Sequence, residues 1–115
     1  MKNLLEILEV LVHKAQAESA LLVSEDGLVI ESFGAENDNL TGVLTASLLS
    51  VAGRFAEEIR QSELDHLYLQ TGKGFVLFRM IKDGISLCLI TQPGTKLGLA
   101  IMYLEKYSKQ LREEL

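Results

Sequence analysis

The chain has 115 residues, with 16 Asp and Glu against 11 Lys and Arg, for a formal charge of −5. The positive residues are scattered and form no basic cluster, which argues against a nucleic-acid backbone as the main partner. Hydrophobic residues make up 48% and aromatics only 6%, a profile that suits one α/β or α+β domain over 1–115, too small for a second core. The single cysteine, Cys88, sits in an apolar run, so it excludes an intrachain disulfide and fits a reducing cytoplasm.

The N-terminal segment repeats Leu4, Leu5, Leu8, Leu11, Val12 and Ala15 at helical spacing. Glu6 and Glu9 interrupt it, which a signal-peptide core would not tolerate, and no continuous apolar stretch reaches membrane-spanning length, so membrane insertion is not expected. Ser19–Ser24 and Leu28–Phe33 are short β-prone runs, and the Asp26-Gly27 pair between them is a hairpin signal. Gly34 ends the second run, and Asn37, Asp38 and Asn39 offer caps for a helix over Leu40–Gln61. Three further runs, His66–Thr71, Gly74–Ile81 and Ile85–Thr91, are divided by Gly-containing turns and read as a meander. Pro93-Gly94 stops the last of them, and Leu97, Ile101, Leu104, Leu111 and Leu115 mark a closing helix.

The order αββαβββα predicts an α+β fold. Leu21 and Val23 alternate with Ala20 and Leu22, and Leu87 and Leu89 with Cys88 and Ile90, so the strands are apolar on both faces. Such a sheet must be covered on both sides. The expectation is a three-layer, profilin-like sandwich around a five-stranded antiparallel sheet, with the long helix on one face and the terminal helices on the other. The His66–Thr71 run sets Leu67, Leu69 and Thr71 against His66, Tyr68 and Gln70, a mixed pattern that fits an edge strand open to partners.

The long helix carries two apolar stripes. Leu40, Leu44, Leu48, Val51, Phe55 and Ile59 are large, and the expectation is that they close the domain's own core. Gly42, Ala46, Leu49, Gly53 and Ala56, with Thr45 alongside, are mostly small and are expected to meet a second backbone. Mid-helix Gly costs about 1 kcal/mol relative to Ala, so two on one face suggest compensating close packing. The competing reading is that they only accommodate a loop of the same chain. Ser47, Ser50, Arg54, Glu57 and Gln61 form the narrow polar strip. Arg54 there has two readings, a contact to a nucleotide-bound partner or an i,i+4 pair with Glu58.

No segment spells a catalytic or metal-binding constellation. Neither His13 nor His66 falls in a metal-ligand spacing. Cys88 has no base near it in sequence and reads as an inert core thiol. Gly72-Lys73-Gly74 lacks the length and the following helix of a phosphate loop. No cofactor is expected, and an enzyme is the weakest reading.

The layout, with LLVSEDGLVIESFG at 21–34 and QPGTKLGLAIMYLEKYSKQL at 92–111, resembles the roadblock family of dynein light-chain type. The shared features are the glycine-punctuated hairpin, the Ala-containing helix after it, and the Pro turn leading into Leu97-Gly98-Leu99. The resemblance spans essentially the whole chain. It implies a non-enzymatic homodimer that pairs its central helices and joins its edge strands, roles that fall here on Gly42, Thr45, Ala46, Leu49, Gly53 and Ala56 and on Leu67 and Leu69. Gliding-motility members of the family bind a Ras-like small GTPase and stimulate its hydrolysis. The resemblance therefore implies a cytoplasmic GTPase regulator or scaffold, with Ser47, Ser50, Arg54 and Glu57 as partner contacts. The alternatives are a ligand-sensing regulatory domain, which needs a pocket with convergent polar groups, or an adaptor for another complex.

Overall fold

The structure, a computed structural model, describes residues 3–115; Met1 and Lys2 of the expected 1–115 domain lie outside the described residues. Its elements run α1 (Leu4–Ala15), β1 (Ala17–Ser24), β2 (Val29–Phe33), α2 (Asp38–Arg60), β3 (His66–Thr71), β4 (Gly74–Lys82), β5 (Ile85–Thr91) and α3 (Leu97–Glu114). All strand pairings are antiparallel, in the order β2-β1-β5-β4-β3, so β2 and β3 are the two edges.

The alternation in the strands divides the core into two layers. Ala20, Leu22, Leu77, Leu87 and Leu89 point to one face, where Ile7, Leu8 and Leu11 of α1 and Leu104, Tyr107 and Leu111 of α3 close over them. Leu21, Val23, Phe78 and Cys88 point to the other, beneath Leu49 of α2. The three-layer arrangement follows from strands that are apolar on both sides. Local chemistry sets the element ends. Asn3 caps α1 by accepting from the Glu6 amide at 2.8 Å and donating to the Glu6 carboxylate at 3.0 Å, a reciprocal cap. At the start of α2, Asn37 holds the cap position but makes no side-chain capping bond.

The long helix is turned the other way from the sequence expectation. Gly42, Thr45 and Leu49 are the buried residues of α2. Leu40, Leu44, Val51, Phe55 and Ile59 are all between 52% and 70% exposed. Leu48 alone of the large stripe packs in part against the α2-side core. The reason is the space available. Leu21, Val23 and Phe78 already fill much of the layer from the sheet side, so the helix adds one large side chain, Leu49, and comes closest at Gly42.

Gly42 shows how close. A β-carbon on it would stand 2.7 Å from the Gly27 carbonyl oxygen and 2.8 Å from Val29 Cγ2. Gly27 itself, at φ +90° in the β1–β2 turn, would meet the Val43 backbone at 3.3 Å. The two glycines let helix and turn touch backbone to backbone, so Gly42 accommodates a turn of its own chain. Gly53 has nothing within 4 Å of such an atom.

The two glycines should therefore respond oppositely to Ala. Gly42→Ala loses about 1–3 kcal/mol to overpacking, less about 1 kcal/mol regained in helix propensity. Gly53→Ala gains up to about 1 kcal/mol. Urea unfolding of the two variants beside the wild type measures both. Equal effects at the two positions would contradict the close approach at Gly42.

Candidate functional site

The exposed face of α2 is the feature that most needs a partner. Leu40, Val43, Leu44, Val51, Phe55 and Ile59 present large apolar side chains to solvent along nearly the whole helix. Isolated exposed apolar residues are ordinary, but a contiguous run of this kind marks an interaction surface. Near its C-terminal end, Val51, Arg54, Phe55, Glu58 and Ile59 outline a shallow hollow. Arg54 Nη2 reaches Glu58 Oε1 at 3.1 Å, and both side chains remain largely exposed. Such an i,i+4 pair contributes about 0.3–0.5 kcal/mol, so it keeps the edge of the face polar without fixing it.

The sequence-predicted dimer residues divide accordingly. Gly42, Thr45 and Leu49 are buried within their own chain, on the side of α2 that faces the sheet. This corrects the expectation that the large stripe closes the core, since that stripe is the exposed one. Helical periodicity shows that a face is apolar but not what covers it. Ala46, Gly53 and Ala56 are half-buried on the shoulders of that inner face. Leu67 packs in part against the α2-side core, and Leu69 is exposed on β3 at the sheet edge. Val43 belongs to the outward face and was not in the predicted stripe; its place beside Gly42 was the available signal.

Ser47, Ser50, Arg54 and Glu57 lie along one side of α2, and all four are exposed. Ser50 borders a cleft of roughly 290 Å³ that is also lined by Ser24, Glu25, Ala46, Met80 and Ser86. The cleft is half open to solvent, and it stands at the lower end of the roughly 300–1,000 Å³ typical of ligand sites. Among the described residues no buried side-chain nitrogen or oxygen lacks a hydrogen-bond partner.

The remaining candidates have structural places. His13 stands edge-on to Phe33, with ring centroids 5.9 Å apart. His66 stacks on Tyr68 at 4.8 Å, with Nδ1 3.2 Å from Asp65. Among the described residues no group of three or more His, Cys, Asp or Glu could hold a metal, and no helix is long and apolar enough to cross a membrane. Gly72 and Lys73 form the β3–β4 turn, where the Thr71 hydroxyl accepts from the Lys73 amide at 3.1 Å.

Cys88 is buried in the α2-side core, and burial pushes its thiol up to about 12, partly offset by a hydrogen bond with Thr45. It is an inert thiol at neutral pH. Because the folded state keeps a proton that the unfolded chain releases above about pH 9, stability falls as pH rises through that range. Relative to Cys88→Ala, the wild type should lose stability at up to about 1.4 kcal/mol per pH unit between those limits. Urea unfolding of both proteins at alkaline pH reads this difference; parallel profiles would contradict it.

These features describe a small three-layer α+β domain with a long helix whose outer face is apolar and unpaired. The chain matches the model of the Roadblock/LC7 domain over residues 4–91 and belongs to that family, a family of non-catalytic regulators. Among solved structures, MglB of Myxococcus xanthus superposes with a TM-score of 0.88 at 24% identity, covering 94% of this chain and 84% of that one. A Roadblock/LC7 domain from Streptomyces avermitilis gives 0.88 at 16% identity, covering 97% of both chains. The gliding protein MglB from Thermus thermophilus gives 0.87 at 17%, covering 95% of this chain and 85% of that one. These likenesses concern the fold. A comparison with curated proteins finds no match.

Proposed function

We propose that the chain is a non-enzymatic homodimer that regulates or scaffolds a Ras-like small GTPase in the cytoplasm. The observation that carries the dimer is the spacing of the outward residues of α2. Leu40, Leu44, Leu48, Val51, Phe55 and Ile59 are separated by steps of four, four, three, four and four. That series reads the same in both directions. Two such helices laid antiparallel about a two-fold axis between Leu48 and Val51 would match Leu40 with Ile59, Leu44 with Phe55 and Leu48 with Val51 of the second copy. A self-complementary face is what an isologous two-fold interface requires. Each half-exposed side chain covered in this way contributes on the order of 1 kcal/mol before the cost of association. The edge strand β3, with Leu67 and Leu69, is the second element offered to the dimer.

The GTPase reading is supported by family membership and by the likeness to the two MglB structures. In a dimer paired through the outward face, Ser47 and Arg54 lie at its border and Ser50 and Glu57 stay open beside it, where a third protein can sit. Arg54 is read there as a contact, its guanidinium 3.1 Å from Glu58 in an exposed pair weak enough to be exchanged for a partner's group.

Mass in solution tests the dimer. The wild type should have the mass of two chains at micromolar concentration, and Phe55→Glu or Val51→Lys the mass of one without loss of fold by circular dichroism. A monomeric wild type overturns the proposal. Copurification from the native organism, followed by hydrolysis assays with the recovered small GTPase, tests the partner. Arg54→Ala should change any stimulation by less than about tenfold, whereas removal of an arginine finger costs about 10³-fold or more. If the partner recovered is not a GTPase, the functional reading fails and the dimer stands or falls separately.

A further inference from the structure

The edge opposite β3 has a character of its own. Among the described residues β2 pairs with β1 alone, which makes it an edge strand. Leu28, just before it, is 67% exposed, and Ile30 within it is 41% exposed. The register sets Leu22 opposite Glu31 and Val23 opposite Val29, so Ile30 is the extra residue of a bulge. β2 is short, bulged at Ile30 and carries Glu31, and it has neither the Lys nor the Pro that commonly blocks an edge, so what limits pairing here is negative charge and the bulge.

The charge around this edge has one sign. From Ala15 to Gly53 the sequence holds Glu18, Glu25, Asp26, Glu31, Glu36 and Asp38 and not a single Lys or Arg. Among the described residues the ion pairs are Arg54–Glu58, His66–Asp65 and Arg79–Glu105, and none of them involves these carboxylates. The contacts recorded for two of them are local. Glu31 accepts from the neighbouring Ser32 amide at 3.1 Å, and Asp26 accepts from the Ser24 hydroxyl, the main cause of its lowered pKa. On the α1 side, His13 stands edge-on to Phe33 of β2, and Lys14 follows it at the end of α1. The β3 edge differs, since it pairs with β4 beside Arg79 and turns at Lys73.

We propose that the open edge of β2 docks an extended, basic segment of another protein, which joins the sheet as an added strand. Main-chain hydrogen bonds to β2 would hold it, apolar side chains would cover Leu28 and Ile30, and its Lys or Arg side chains would neutralise the surrounding carboxylates. The charge also decides against a second copy here, because two β2 edges brought together would set carboxylates against carboxylates. β2 lies at the opposite edge of the sheet from β3, while α2 packs over the β1–β2 side, so binding at β2 is told from binding at the α2 face by which amides shift.

The test is titration of isotope-labelled full-length protein with an octapeptide of alternating Val and Lys, blocked at both ends, and with its Val/Glu counterpart. The expected result is saturable amide shifts at Leu28–Phe33 and on β1 with the Val/Lys peptide, weakened by salt, and none with the Val/Glu peptide. Ile30→Lys should weaken binding at least about tenfold by placing a charge on the edge. Glu36→Lys, at an exposed loop position, should weaken it several-fold while leaving the spectrum otherwise intact. Equal binding of both peptides, shifts centred on β3 or the outer face of α2, or no shift at saturating peptide would overturn the proposal.

Discussion

The structure depends on how near α2 can come to the sheet. The sheet contributes the volume of that layer through Leu21, Val23, Phe78 and Cys88, so the helix must contribute little. Gly42 resting against the Gly27 carbonyl, with Thr45 and Leu49 following along the helix, satisfies this limit. Once the small residues are committed inward, the large ones have nowhere to go but outward. The apolar outer face of α2 is thus a consequence of the packing beneath it, and the two cannot be exchanged without opening a gap between helix and sheet.

The opposite layer is built differently. There α1 and α3 contribute large side chains of their own, including Leu8, Leu11, Leu104 and Leu111, and the sheet is closed by two helices side by side. One face of the sheet is therefore finished within the chain, and the other carries a helix finished on only one side. Both edges are also open, but with different surroundings: β3 lies near cations and β2 among carboxylates. The chain offers unlike surfaces in separate directions, which suits a scaffold better than a machine for chemistry.

Much of this was legible in the sequence. The alternation of Leu21 and Val23 with Ala20 and Leu22 indicated a sheet covered on both sides, and the Gly-containing turns gave the strand order along the chain. The mixed pattern at His66–Thr71 marked an edge. The faces of α2 were not legible in the same way, because periodicity records that two stripes are apolar and not which neighbour each one meets. The position of Gly27 opposite Gly42 decided the matter, and that contact joins turn and helix across a distance no local pattern records. The ends of α2 were nearly right, but the cap was not: Asn37 occupies the position without making the bond its side chain suggested.

In the proposed dimer the outward face of α2 meets a second copy of itself antiparallel, centred between Leu48 and Val51. Disulfide trapping of single-cysteine additions tests it directly, since the native Cys88 is buried and will not compete. In that register, position 40 of one chain lies beside position 59 of the other, while the two copies of position 40 are about 28 Å apart along the axis at 1.5 Å per residue. A mixture of Leu40→Cys and Ile59→Cys chains should give the cross-linked dimer, and neither variant alone should do so. Cross-linking of either variant by itself, or none from the mixture, would contradict the account.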